Sequence, residues 1–406
     1  MNQDASSQPL SFRINRFLAP RLLEAWLRIR FDGEVADRCV ASIARVERLG
    51  SRDRRRLAEA TFTALRRRGS VDALLADRAH DPESARLWLA TALEQDWPDG
   101  PAALPFVEKR DPLQEGNLPP LVYECLRDGL VDPLTLGQAL RRRAPTTLRC
   151  ATQTRDVVAK QLRRYEVETQ PTPYARHGLI CAPQAKLSAV PSKLRAAFEI
   201  QDEGSQLLAE LVGAQPGDRV LDACAGAGGK TLALLDYGAH VTASDIDPKR
   251  LARLKRRVLV HAERLTIRST PETSQAHAIG SFDRVLIDAP CSGTGTARRA
   301  PDLPWRLTGA QLEEYVTLQR SLLEQYSRAV RPGGYLVYAT CSILPQENDA
   351  QVADFLSRHP DFERSPIGAT LTAEQADALD SEGYLRTMPH LHGADGFFGA
   401  LLRRLS

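Results

Sequence analysis

Arg219-Val220-Leu221-Asp222-Ala223-Cys224-Ala225-Gly226-Ala227-Gly228-Gly229-Lys230-Thr231 reads as a short apolar strand, a loop of small residues and the opening of a helix, which continues through Leu232-Ala233-Leu234-Leu235. Small residues let backbone N–H groups approach a ligand closely, and a helix N-terminus adds partial positive charge. Strand, glycine loop and helix in that order form the nucleotide-cradling corner of an open α/β sheet.

Three ligands are candidates for that corner. A dinucleotide fingerprint counted from Gly226 puts its third glycine on Thr231, and a P-loop ending in Gly229-Lys230-Thr231 puts its first glycine on Cys224. Both patterns therefore fail at one position. S-adenosylmethionine is the third candidate, because its methyltransferases use a less strict glycine loop after the first strand. The loop alone leaves the choice open.

Working outward, a doubly wound pattern begins near Phe198. Strands are predicted at 219–222, 240–244, 265–269, 284–288 and 335–340, with a last hairpin from 385–389 and 396–402. Helices are predicted between them at 205–212, 231–236, 248–261, 309–330 and 346–358. Alternating strands and helices imply a mostly parallel sheet covered on both faces. Residues 12–98 carry only helical periodicity, with Ser51 or Asp53 as a candidate N-cap. Residues 99–197 begin with a linker (Pro98, Gly100, Pro101, Pro105) and read as a small basic α/β segment. Three domains are expected, at 12–98, 99–197 and 198–406, with residues 1–11 disordered.

No window approaches 18 uninterrupted apolar residues, so no membrane span is expected. The first ten residues lack the pattern of a signal peptide, which makes the cytoplasm the expected compartment. Seven scattered cysteines without a C-x-x-C pair argue against a disulfide framework and against a metal site. Residues 1–200 carry a net charge of +7 and residues 201–406 a net −4. That asymmetry fits a nucleic-acid handle ahead of a catalytic domain. Arg54-Arg55-Arg56 and Arg66-Arg67-Arg68 bracket one helix, either as a solvated face or as RNA contacts.

Ligands of such sheets bind outside the carboxyl ends of the strands. Asp245 ends the second strand, 19 residues past Gly226, where a carboxylate can accept the ribose hydroxyls of a nucleoside; Asp247 before Pro248 is the better helix cap. The fourth strand ends in Asp288-Ala289-Pro290-Cys291 and the fifth in Thr340-Cys341, so two cysteines and an aspartate reach one edge.

Together, Asp222-x-Cys224-Ala225-x-x-Gly228-Gly229-Lys230-Thr231, Asp288-Ala289-Pro290-Cys291-Ser292-x-x-Gly295, Arg299-x-Pro301-Asp302 with Trp305, Tyr338-Ala339-Thr340-Cys341-Ser342 with Glu347-Asn348, Gln201-Asp202-x-x-Ser205 and Asp395-Gly396-Phe397-Phe398 resemble the Sun/Nol1-type RNA cytosine carbon-5 methyltransferases. The front, around Leu49-Gly50-Ser51-Arg52-Asp53-Arg54, is similar to the NusB-like domain of bacterial small-subunit ribosomal RNA members. The resemblance implies a Rossmann-like S-adenosylmethionine-dependent methyltransferase sheet, preceded by an all-helical NusB-like domain and a small α/β linking domain. It further implies Cys341 as nucleophile, Cys291 in product release and Asp288 at the cytosine edge. The cofactor would be held by Cys224, Ala225, Gly226, Ala227, Gly228, Gly229, Lys230, Asp245 and Asp288. The implied partner is RNA, in particular small-subunit ribosomal RNA, for a monomer with no membrane and no metal. The family usually has Ala-Ala-Pro where Ala225-Gly226-Ala227 stands, an adenine-side Asp where Thr270-Pro271-Glu272 stands, and Arg-x-Asn where Arg149-Cys150-Ala151 stands. The alternatives are a non-catalytic ribosome-assembly factor that retains the fold and a transfer RNA cytosine methyltransferase.

Overall fold

The computed structural model describes residues 10, 12–75, 81–104, 118–127, 129, 131–151, 155–183, 185–258, 260–269 and 279–406. The expected disordered start (except Leu10), Pro105 of the linker and Thr270-Pro271-Glu272 lie outside them. The chain forms two compact units: residues 1–143 with 296–309, and residues 144–295 with 310–406.

The first unit is helical, as its 3.6-residue periodicity predicts. Helices Ala19–Arg30, Ala36–Val46, Ser51–Arg66, Arg68–Leu75 and Pro82–Leu93 are followed by Pro120–Leu126 and Pro133–Leu140. The first five share one core in which Trp26 and Trp88 stack with ring centroids 3.7 Å apart. Neither candidate N-cap holds: the third helix begins at Ser51 itself, behind Gly50, with no side chain capping it. Arg66, Arg67 and Arg68 are neither solvated nor splayed outward. Arg67 is buried and donates to the Ala92 carbonyl at 2.8 Å, Arg66 donates to the Arg298 carbonyl at 3.2 Å, and the Arg68 guanidinium lies 4.6 Å over the Trp305 ring.

The second unit holds two sheets. Strands β1 (Thr147–Cys150), β2 (Thr169–Pro171), β3 (Gly178–Cys181) and β4 (Phe198–Ile200) form an antiparallel sheet in the order β2-β3-β1-β4. Strands β2 and β4 escape sequence reading because three residues are too few to show alternation. The hydrogen bond from Gln206 Nε2 to the Leu148 carbonyl ties this small sheet to helix Glu203–Leu211, which leads into the large sheet. Along the chain the two units divide at Arg143/Ala144, with residues 296–309 returning to the first.

The large sheet comprises β5 (Arg219–Asp222), β6 (His240–Asp245), β7 (Leu265–Ser269), β8 (Phe282–Asp288), β9 (Val330–Thr340), β10 (Phe362–Arg364), β11 (Asp380–Ser381), β12 (Tyr384–Thr387) and β13 (Phe397–Arg404). Its order is β11-β12-β13-β9-β8-β5-β6-β7, with β10 paired to β13. Strands β5 to β9 are parallel, and β13 runs antiparallel to β9. Neighbouring side chains alternate between two cores. Val220, Leu286 and Val337 lie in one, while Leu221, Val285, Ile287 and Tyr338 lie in the other. Such two-sided burial is why these strands read as unbroken apolar runs.

Helices Glu203–Leu211, Gly229–Asp236, Pro248–Arg257, Gly309–Ser327 and Asp349–Arg358 match the expected set with shifted ends. The third stops at Arg257 because Val258 is extended, and the last starts late because Pro345–Glu347 is a 3-10 turn. This is the Rossmann-like sheet expected from the sequence, and its order reverses between β5 and β8. Asp222, Asp245 and Asp288 all end strands on that one edge.

Candidate active site

The glycine loop needs two left-handed residues. Gly226 has φ +56° and Gly228 has φ +89°, a region that L side chains rarely adopt. A Cβ at Gly228 would come within 2.2 Å of Leu254 Cδ1, whereas a Cβ at Gly226 would meet open space. The loop is thus packed on one side and free on the other. Asp245 anchors it by accepting from the Gly226 N–H at 2.9 Å and, through its other oxygen, from the Asp247 N–H at 2.8 Å. Two oxygens offer about four lone-pair sites, so two bonds leave capacity for ribose hydroxyls. Asp247 caps the next helix by accepting from the Lys249 N–H at 2.8 Å, as its place before Pro248 predicts.

Asp222 is the site residue that sequence reading passed over. It is buried, accepts from Thr231 Oγ1 at 2.6 Å through Oδ2, and leaves Oδ1 with no partner among the described residues. Burial pushes its carboxyl up to about 7, against the pull of the Thr231 hydrogen bond. Cys224, at the same strand end, is half-buried, and burial pushes its thiol up, so it is a neutral lining group.

A second cluster lies along the carboxyl ends of β8 and β9. The sulfurs of Cys291 and Cys341 are 3.4 Å apart. The hydrogen bond to Cys341, followed by burial, raises the Cys291 thiol well above its ordinary value. Proximity and burial thus keep the proton on Cys291. Lys230 was expected to hold the cofactor, but its ammonium is taken up by Asp288 Oδ2 at 2.7 Å. Burial opposes the charge, yet Asp288 outweighs it and Cys341 adds in the same sense, so Lys230 stays above its ordinary value. A charged ammonium beside a sulfur favours the thiolate.

Behind the cysteines a buried polar network joins their loops. Glu347 accepts from the Ser292 N–H at 2.8 Å, from Gln319 Nε2 at 3.0 Å, and from the hydroxyls of Ser292 and Ser342. Asn348 accepts from Thr340 Oγ1 at 2.6 Å and donates to the Ser342 carbonyl at 2.9 Å. The Gly295 N–H donates to the Cys341 carbonyl at 3.0 Å. By contrast, Cys39, Cys150 and Cys181 are buried away from this edge, with thiols pushed up by burial to about 11, about 12 and about 11. Arg149, from the altered Arg-x-Asn position, is also structural: it donates to Gln201 Oε1 at 3.0 Å and to Asp236 Oδ2 at 2.6 Å.

Every site residue expected from sequence thus falls on one sheet edge, in two groups that meet at Lys230 and Asp288. Among the described residues no group of three or more His, Cys, Asp or Glu could hold a metal ion, and no helix is long and apolar enough to cross a membrane.

Residues 209–403 match the family described as 16S rRNA methyltransferase RsmB/F. A ribosomal RNA small subunit methyltransferase B from Yersinia pestis bv. Antiqua (strain Angola) is 34% identical over 272 residues, 64% of this chain and 60% of that protein. The same-named protein of Yersinia pseudotuberculosis serotype O:1b (strain IP 31758) is 34% identical over 247 residues, covering 59% and 54%. The matched stretch thus spans a little over half the length of these relatives. Among solved structures, PH0851 superposes with a TM-score of 0.76 at 22% identity, over 98% of this chain and 100% of that one. NSun6 from Pyrococcus horikoshii, solved with SFG, gives 0.59 at 18% identity over 70% and 97%. These two likenesses show the fold. With its glycine loop and its paired cysteines, the stretch 209–403 is similar to the RsmB/F methyltransferases.

Proposed function

We propose that this protein methylates carbon 5 of a cytosine in RNA, in particular small-subunit ribosomal RNA, through a covalent cysteine–cytosine intermediate. The observation that carries the reading is the pair of sulfurs 3.4 Å apart beside the Lys230–Asp288 ion pair. The residues at the glycine loop fit S-adenosylmethionine. The open side of Gly226, the spare capacity of Asp245 and the orphaned Oδ1 of Asp222 offer a cradle, ribose acceptors and an acceptor for a cationic group. Bound there, S-adenosylmethionine supplies an electrophilic methyl group.

Carbon 5 of cytosine is a poor nucleophile. The Cys341 thiolate adds to carbon 6, forming a C–S bond and moving the C5–C6 π electrons onto carbon 5 and N3. Carbon 5 thereby becomes nucleophilic, and a hard displacement is split into easier steps. Asp288 holds the N3 side of the ring, while Lys230 keeps Asp288 in place and balances charge at Cys341. After methylation a base removes the proton on carbon 5, the C5–C6 double bond re-forms, and the Cys341 sulfur leaves. Cys291, a neutral thiol in contact with that sulfur, assists release by supplying a proton to it. A base within a duplex cannot reach this pocket, so the target is unpaired or flipped out. The helical unit, with Arg52, Arg54 and Arg55 exposed, is assigned RNA capture.

Incubation with methyl-labelled S-adenosylmethionine and unmodified small-subunit ribosomal RNA tests the reading. Label is expected in 5-methylcytosine at one position. Cofactor binding with no such product, on naked RNA or on ribosomal particles, would overturn it and favour an assembly factor.

A further inference from the structure

The mechanism uses two sulfurs but leaves unexplained what holds them together. Cys291 sits in the loop after β8 and Cys341 in the loop after β9; the Ala289 N–H donates to the Ala339 carbonyl at 2.8 Å before them and the Gly295 N–H to the Cys341 carbonyl at 3.0 Å. One buried carboxylate spans the gap. Glu347 is fully buried and accepts from a backbone N–H and a hydroxyl of Ser292, next to Cys291, and from the hydroxyl of Ser342, next to Cys341. Gln319 Nε2 joins the Cys291 side, donating to Glu347 Oε1 at 3.0 Å and to the Pro290 carbonyl at 2.9 Å. Behind it, Tyr338 hydroxyl donates to the Glu347 carbonyl at 2.7 Å and fixes the residue to β9.

We propose that Glu347 is a positioning residue that clamps the Cys291 loop to the Cys341 loop and so sets the sulfur–sulfur separation on which product release depends. This rests on the covalent reading above, in which both cysteines act on one cytosine. A buried carboxylate is costly to keep unless well bonded, and here all four donors come from the two cysteine loops and the helix beneath them. A packing role alone needs no charge. Glu347 also has an electrostatic consequence: it adds to the Cys341 hydrogen bond, burial and the proximity of Cys341 in raising the Cys291 thiol. The clamp therefore fixes both the distance and the division of labour, with Cys341 attacking and Cys291 in reserve as a proton donor.

The test is alkylation of the resting protein by iodoacetamide, with Cys291 and Cys341 resolved by peptide mass spectrometry. It needs neither RNA nor cofactor, so it reports on the clamp apart from the reaction. In the unmodified protein Cys341 reacts first. In Glu347→Gln, which keeps the shape and inserts a donor among donors, the Cys291-to-Cys341 rate ratio is expected to rise about tenfold. A folded Glu347→Gln protein with an unchanged ratio overturns the proposal. Should that variant fail to fold by circular dichroism, Ser342→Ala removes a single arm, and it must shift the ratio in the same direction by a smaller factor; no shift there overturns the proposal equally. A shifted ratio in a protein that never forms an RNA adduct supports the clamp and sinks the covalent reading instead.

Discussion

Cys291 Sγ and Cys341 Sγ lie 3.4 Å apart, close enough that two thiolates could not coexist there. At least one of them keeps its proton. Under the covalent reading, that gives two chemically identical groups separate roles. Removing Cys291 should therefore leave addition intact but stall release: Cys291→Ala is expected to accumulate a covalent protein–RNA adduct that survives denaturing electrophoresis. Cys341→Ala should form none and lose activity by about a thousandfold or more. The reverse pattern would hand the nucleophile role to Cys291.

Lys230 stands between the two halves of the site, bonded to Asp288 at 2.7 Å and charged near Cys341. Lys230→Met keeps the stem and removes the charge. The expected result is a kcat/KM lower by about 10²–10³-fold, the range for losing one preorganised electrostatic contact. Alkylation of Cys341 should slow in parallel. Unaltered Cys341 reactivity would confine Lys230 to orienting Asp288.

Gly228 is the loop position that no other residue can fill cheaply. Its φ of +89° and the 2.2 Å approach of Leu254 Cδ1 both oppose a Cβ. Gly228→Ala is expected to destabilise the protein by about 1–3 kcal/mol and weaken S-adenosylmethionine binding, as read by denaturant titration and calorimetry. Gly226→Ala, with open space at its Cβ but φ +56°, should cost less stability. Equal losses would refute the one-sided packing of the loop.

Asp222 gives a pH signature. Its carboxyl is raised from 3.8 to about 7 in the folded state, so the folded protein binds its proton more tightly than the unfolded chain. The associated stability is present in full below pH 4 and is lost as pH rises through 7. Between pH 5.5 and 8 the loss amounts to about 2 kcal/mol. Asp222→Asn should remove that share of the decline in denaturant-derived stability. The same slope in both proteins would dismiss the buried acid as its source.

Much of this was legible in the sequence because parallel strands buried on both faces leave unbroken apolar runs. Val285-Leu286-Ile287 and Val337-Tyr338 announce themselves, and the chemistry follows at their ends. The three-residue strands Thr169–Pro171 and Phe198–Ile200 carry no periodicity and were invisible. Asp222 and Glu347 stood within recognised motifs, but their importance comes from burial and from who donates to them, which spacing does not encode. The arginines at 66–68 misled for the opposite reason: residues that read as surface charge are folded inward, Arg67 against the Ala92 carbonyl and Arg66 and Arg68 against a carbonyl and a tryptophan ring more than 200 positions away in the chain.

That last partner, the segment Thr296–Gly309, is grouped with the helices although its flanks on both sides are grouped with the α/β unit. Asp302 accepts from the Ala36 N–H at 3.2 Å, and Arg66 and Arg68 contact Arg298 and Trp305. The backbone consequently passes from one unit to the other three times. A single cut at Arg143/Ala144 would yield two incomplete fragments, one short of its own fourteen-residue piece and one trailing it unsupported. Anyone wishing to express the sheet by itself must excise or redesign that excursion, and gene fusions that swap the front half of this chain inherit the same obligation.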